Sequence, residues 1–285
     1  MRAFAMSKDD RTLDALPPGP GMGSLKQSEF EPTLLAALAP WIEARSADDP
    51  LDVLVCGMAG ARQGWMEAPY RSVPAGLDNL LDHAVSPRLS DARARVRIVP
   101  GLSQDDPPDV MRGEETQLLG FLERTKLMDA VVCLPGTHSK WVWIESDRVV
   151  SFATHMTGEL FAVLKDHSIL RHSIDTTRSE AAFVDAVKEA ANAKGAVLDR
   201  LFALRAGRLL RAGEPDTADR LSGLLIGTEF ASVVDSIGSD PVHIIGAPLL
   251  TERYSTAAAA LGIGVTIHNG DSLAVAGLAR LRLHD

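Results

Sequence analysis

Cysteine is almost missing from this chain: of 285 residues only Cys56 and Cys133 carry thiols. Each closes an apolar run and neither stands in a CxxC or Cys/His spacing, so both read as reduced, buried thiols rather than parts of a disulfide framework or a structural zinc site. Basic residues are in deficit as well, 29 against 38 acidic, for a net charge of -9 and a pI near 5.4. That balance argues against nonspecific binding to nucleic acid or an anionic membrane, both of which need a basic face. No apolar run reaches the ~20 residues that span a bilayer. Met1 to Ser7 is too short for a secretory signal core, so the expectation is a soluble, cytoplasmic protein with no membrane partner. Against these absences stand 46% hydrophobic and 24% charged residues, enough to bury two medium cores.

The second half shows the clearer pattern. Apolar runs at Ala130 to Leu134, Trp141 to Ile144 and Val149 to Phe152 predict a three-strand meander with a short turn at Glu145 to Arg148. Helical periodicity follows at Thr157 to Leu164, Ser179 to Asn192, Ala196 to Leu210 and Thr217 to Ser236. A buried strand, Val242 to Ile245, then leads through Gly246 into a helix to Leu261 with Pro248 in its first turn. A strand from Val265 to His268, a turn at Asn269-Gly270 and a helix from Asp271 to about Leu283 complete it.

The first half nearly repeats that order. It offers a strand-like Ala3 to Met6, a Pro/Gly-rich passage Pro17 to Gly23 and a helix Glu31 to Arg45 that Pro40 should kink or split. The strand Leu51 to Cys56, a short helix Leu77 to His83, the strand Val96 to Val99 and the helix Glu114 to Arg124 follow. The duplication predicts an α/β fold of two related domains, with an extra helical insert in the second. Only the opening strand lacks a counterpart, which implies a strand and its turn ahead of Met1. An edge left open there would be a place for a second chain to pair, and a homodimer is held open on that ground.

The most informative stretch is Asp129 to Trp141, where an apolar strand runs into Pro135-Gly136-Thr137-His138-Ser139-Lys140 and out into the next strand. Gly136 lets backbone N–H groups approach an anion, Thr137 and Ser139 add hydroxyl donors, and Lys140 adds positive charge. The turn therefore has the chemistry of a phosphate cradle; an ordinary hairpin with a polar turn has the same outline.

Several segments together carry a resemblance. Gly57 to Tyr70, Met111 to Gln117, Leu134 to Trp141, Met156 to Phe161, His167 to Leu170 and Gly223 to Glu229 are similar to the 2-dehydro-3-deoxygalactonokinase family of the actin-like sugar kinase superfamily. The likeness covers essentially the whole chain. It implies two actin-like (ribonuclease H-like) domains with a cleft between them, residues 1–127 binding a sugar acid and 128–285 binding nucleotide, the last helix packing back on the first domain. The implied activity is transfer of phosphate from ATP, with Mg2+, to the 6-hydroxyl of 2-dehydro-3-deoxygalactonate in galactonate catabolism. The family's opening Asp-Trp-Gly-Thr-type segment, which precedes the stretch matching Arg2-Ala3, is not present. Its loss predicts severely reduced transfer, and a noncatalytic binding protein on the same fold is the second reading.

Candidate roles follow. Arg62 and Arg112 can hold a planar carboxylate bidentately, and Gln63 and Glu67 suit sugar hydroxyls; a surface ion pair is the plain alternative for Arg62. Asp109, Glu114 and Glu115 are the carboxylates from which a catalytic base would come, although two acids at a helix start also complement its dipole. Gly136 through Lys140 would hold the nucleotide phosphates. Gly227, Thr228, Gly246 and Leu249 would lie along adenosine, with Glu229 beside Gly227 and Thr228 on the adenine side and Gly246 opening a strand-to-helix junction. The histidines show no metal-ligand spacing.

Overall fold

A computed structural model describes residues 1–7, 11–21, 24–175, 177–211 and 216–282. The chain divides into two compact units, Met1–Met128 with Glu145–Ser151 and Gly270–Asp285, and Asp129–Ile144 with Phe152–Asn269.

In the first unit β1 (Phe4–Met6) and β2 (Thr12–Ala15) form an antiparallel pair. Helix α1 (Phe30–Ile42) buries Leu34, Leu38 and Ile42, a stripe at four-residue spacing that suits one helix face. The split held possible at Pro40 does not occur: α1 runs unbroken to Ile42. Pro40 stands two residues from the end, where one missing N–H leaves the buried stripe intact. Then come β3 (Leu51–Val55), β4 (Tyr70–Ser72), β5 (Ala94–Ile98), β6 (Gly101–Gln104), β7 (Asp109–Met111) and α2 (Glu114–Thr125). β3 and β5 pair in parallel over five residues, and β4, β6 and β7 make a separate three-stranded sheet. The core gathers Leu34, Leu38, Ile42, Val96 and Ile98.

The sequence reading missed β2, β4, β6 and β7. All four residues of β2 are exposed, so no alternation marks it, and the other three are three or four residues long. The short helix expected from Leu77 is a 3-10 turn, Leu80–His83.

The second unit holds β8 (Ala130–Leu134), β9 (Ser139–Glu145), β10 (Arg148–His155), α3 (Thr157–His167), α4 (Glu180–Asn192), α5 (Leu198–Leu210), α6 (Thr217–Val233), β11 (Val242–Gly246), α7 (Pro248–Ala260) and β12 (Val265–Asn269). The tip of the β9–β10 hairpin and α8 (Gly270–Arg282) group with the first unit. Ser146 and Asp147 at that tip both have positive φ, as a two-residue hairpin turn matched to strand twist requires. The strands make one sheet in the order β10-β9-β8-β11-β12, with β8 antiparallel to β9 and parallel to β11. Numbered within the unit, the strand order is 3-2-1-4-5, and the α/β class read from the pattern holds. The turn expected at Asn269-Gly270 is absorbed into the start of α8, and Leu283 lies outside the described residues.

Candidate active site

The phosphate-type turn of the second unit is held from one side by α3. A Cβ on Gly158 would fall 2.4 Å from the Gly136 carbonyl oxygen, so α3 can start against the turn only because that residue is glycine. Glu159 N donates to Thr137 O at 2.9 Å, and His138 Nε2 lies 2.5 Å from Glu159 Oε2. Gly136, Thr157 and Gly158 open on a cavity of about 370 Å³ that Asp219, Leu249 and Arg253 help to wall. Thr157 and Gly158 begin α3, and a helix start carries N–H groups without intrahelical acceptors, which favours an anion nearby.

The other turn residues divide. Thr137 and His138 are exposed, whereas Ser139 and Lys140 are buried. Ser139 Oγ is 2.7 Å from Tyr254 OH, and Lys140 Nζ donates to His138 O at 3.4 Å. Of the five predicted phosphate contacts, Gly136 lines the cavity.

Beneath the cavity lies a residue expected on the adenine side together with Gly227 and Thr228. Glu229 on α6 is 2% exposed, and both its oxygens accept hydrogen bonds. Trp141 Nε1 donates to Oε1 at 2.8 Å; Tyr254 OH donates to Oε2 at 2.7 Å, as does Thr157 Oγ1. One carboxylate thus joins β9, α3, α6 and α7. Its partners are all neutral, so desolvation of the carboxylate is offset by three donors rather than by a cation. Burial, then the charge of Glu229, pushes the Tyr254 phenol well above its ordinary range and does the same to the Cys133 thiol. The available signal was spacing: Leu221, Leu225 and Glu229 share one stripe of α6, putting a carboxylate in line with core residues.

The predicted adenosine residues also part company. Leu249 lines the cavity. Gly246 sits behind it, with its missing Cβ 3.7 Å from the Pro135 ring. Gly227 is packed against α4, where a Cβ would meet Val187 O at 2.6 Å, and Thr228 Oγ1 donates back to Leu224 O at 2.7 Å; neither lines the cavity. Asp219 and Arg253, which do, form an ion pair, and Arg253 stacks over Phe183 at 4.2 Å.

In the first unit the loop after β3 and the turn after β7 meet. Gly57 and Gly113 both have positive φ, and a Cβ on Gly113 would stand 3.1 Å from Gly57 Cα. Arg112 is 8% exposed, donates from Nη2 to Ala68 O at 2.7 Å and has Tyr70 4.2 Å from its guanidinium carbon. Its Nε and Nη1 are buried without a hydrogen-bond partner, an expensive state for a guanidinium. Arg62 pairs with Glu67 at 3.2 Å on the surface, and Gln63 is exposed beside them.

The three candidate bases are distributed around that turn. Glu114 Oε2 accepts from Arg112 N at 3.0 Å, and Glu115 Oε2 accepts from Gly113 N at 2.6 Å. Asp109 Oδ1 accepts from Val110 N at 2.7 Å. Glu115 is fully buried, and burial, with the neighbouring Glu114 charge, raises its carboxyl to about 8. Among the described residues no three His, Cys, Asp or Glu side chains gather as a metal cage, and no helix is long and apolar enough to cross a membrane.

The profile of the 2-keto-3-deoxy-galactonokinase family matches residues 1–281. The chain belongs to that family. A Rhizobium meliloti (strain 1021) protein named "Probable 2-dehydro-3-deoxygalactonokinase DgoK1" is 40% identical over 98% of this chain and 92% of its own length. The Escherichia coli (strain K12) 2-dehydro-3-deoxygalactonokinase is 34% identical with the same coverage. A Sinorhizobium meliloti crystal structure bearing that enzyme name superposes with a TM-score of 0.90 at 39% identity, covering 99% of this chain and 95% of that one. The family carries kinase chemistry on a sugar acid.

Proposed function

We propose that this galactonokinase-family chain moves the γ-phosphoryl group of ATP to the 6-hydroxyl of 2-keto-3-deoxy-galactonate. The second unit binds the nucleotide and the first binds the sugar acid. The observation that carries the reading furthest is the buried Arg112 guanidinium with two unpartnered groups. A planar 2-oxo-carboxylate, reached once the half-exposed Tyr70 ring swings aside, supplies the missing acceptors. Exposed Arg62, Gln63 and Glu67 then face the hydroxyls.

In the transfer, the 6-oxygen bonds to phosphorus, the bond to the ADP oxygen breaks, and the hydroxyl proton passes to a carboxylate. Glu115 is assigned to holding Gly113 in its left-handed conformation, because both its oxygens are occupied below the surface. Asp109 and Glu114 are the partly exposed carboxylates of the segment and the candidates for the base. Gly136 and the N–H groups at the start of α3 orient the phosphates. Magnesium accompanying ATP would neutralise phosphate oxygens, held largely by those oxygens and water, which suits an ion that needs few protein ligands.

A second reading, binding without efficient transfer, is favoured by one feature: among the described residues of the first unit, β1–β2 and β3–β5 are separate pairs. Positioning governs phosphoryl transfer, so a loosely held sugar-acid unit transfers slowly. A coupled assay of ADP release with 2-keto-3-deoxy-galactonate decides. Sugar-acid-dependent ADP formation, with KM for the acid at least ~10-fold higher in Arg112→Met and ATP affinity unchanged, is the expected result. An unaltered KM in that variant contradicts the carboxylate assignment, and binding of both ligands without ADP release selects the second reading.

A further inference from the structure

Helix α5 buries one face on α6 and on the turn Ile169–His172, with Leu204 inside and Leu201 partly covered. Its opposite face carries four large apolar side chains, with Asp199 near one edge. Leu198 is 85% exposed, Phe202 60%, Leu209 67% and Leu210 83%. At 3.6 residues per turn Leu198, Phe202, Ala206 and Leu209 fall within one outward arc, with Leu210 at its border. A soluble chain does not ordinarily leave four large side chains contiguous and uncovered.

We propose that this face is the contact between two copies of the chain, their α5 helices packed antiparallel about a two-fold axis at the level of Leu204. That symmetry sets Leu198 at the height of Leu209 and Leu210 in the other copy. The Phe202 ring comes to the height of the small Ala206, a large-to-small fit that the helix offers to itself, as an isologous interface must. The four exposed side chains remove on the order of several hundred square ångströms per copy. That is a substantial part of the about 800 Å² per partner of a standard interface. An anionic lipid surface is the poorer occupant, because Arg205, the arginine that borders the stripe, donates to the Ile169 carbonyl and the acidic Asp199 stands at the other edge. Arg200 pairs with Asp199 at 3.0 Å and Arg208 with Asp175 at 3.2 Å.

Light scattering after size exclusion, at tens of micromolar chain, tests the pairing. The wild-type chain is expected to run as a dimer. Phe202→Asp, Leu198→Asp and Leu209→Arg are each expected to run as monomers with unchanged circular dichroism. Leu13→Asp, an equally exposed apolar site in the first unit, stays dimeric. An equimolar mixture of Leu198→Asp and Leu209→Arg regains a dimer, because only the antiparallel arrangement brings those two positions together. A monomeric wild type, or a dimer that Phe202→Asp leaves intact, overturns the proposal. So does wild-type chain that stays monomeric but pellets with phosphatidylserine vesicles through Phe202, which would give the face to lipid.

Discussion

In the second unit five strands run without interruption, and β8 lies between β9 and β11. The first unit has an antiparallel pair, β1–β2, and a parallel pair, β3–β5, matching β9–β10 and β11–β12 in chain order, but among its described residues no strand joins them. The consequence is visible in burial. Val132, Cys133, Val142, Ile244 and Ile245 are sealed in the joined sheet, whereas no residue of β3 is fully buried. Leu51, Val53 and Val55 lie only half covered at the edge of their core, beside Met1 and Ala3. β8 thus covers an edge of each neighbour, whereas β3, paired on one side with β5, stays half covered although β5 itself buries Ala94, Val96 and Ile98, so the hydrophobic gain missing from the first unit is that of β3.

The largest expected effect breaks the better-joined unit. Glu229→Ala strands the Trp141, Thr157 and Tyr254 donors and should lower stability by about 3 kcal/mol or more in urea unfolding. A change below ~1 kcal/mol would show that the carboxylate is not what ties those elements together. Next, Ile245→Ala, the fourth residue of β11, is expected to cost about 2–5 kcal/mol, and Leu54→Ala, the fourth residue of β3, clearly less. Equal losses would mean that the first unit's core is as tightly closed as the second's.

A pH dependence separates the units further. The Glu115 carboxyl is raised in the fold, to about 8 from 4.5, so the folded chain holds a proton that the unfolded chain releases. Its contribution to stability is full below pH 4.5 and is lost as pH rises through about 8, since there the unfolded state binds fewer protons. Melting of the wild type should therefore weaken across that window, and Glu115→Gln should flatten the slope. A slope unchanged in the variant would assign the dependence elsewhere. The smallest effect belongs to Arg62→Ala: an exposed pair with Glu67 contributes little, and the melting temperature should not move measurably.

The same contrast explains what could be read from residues alone. β8 and β11 are short apolar runs closed by a turn or glycine, and α4 and α6 keep a helical period, so the second unit was largely legible. In the first unit β7 has three residues, too little alternation to compete with the helix-start signal of Glu114 and Glu115 that follows it. Gly136 and Leu249 were legible as cavity residues from their turn and junction. Asp219 and Arg253 were not, since their pairing joins helices 34 positions apart in sequence and no local pattern announces it. The burial of Ser139 and Lys140 was hidden for a related reason: both open β9, whose first four residues are all buried, and burial in the sheet outweighs their polarity once Tyr254 and the His138 carbonyl accept them.

Hydrogen exchange with each ligand in turn, on the full chain, tests most directly whether the two units divide the two substrates. ATP should slow exchange at Gly136 to His138, at Thr157 to Glu159 and at the start of α7, leaving Met111 to Gln117 unchanged. The sugar acid should slow Met111 to Gln117 and Gly57 to Tyr70 alone. Protection by ATP of the Arg112 turn, with none at Gly136 or Gly158, would contradict the assignment of nucleotide to the second unit.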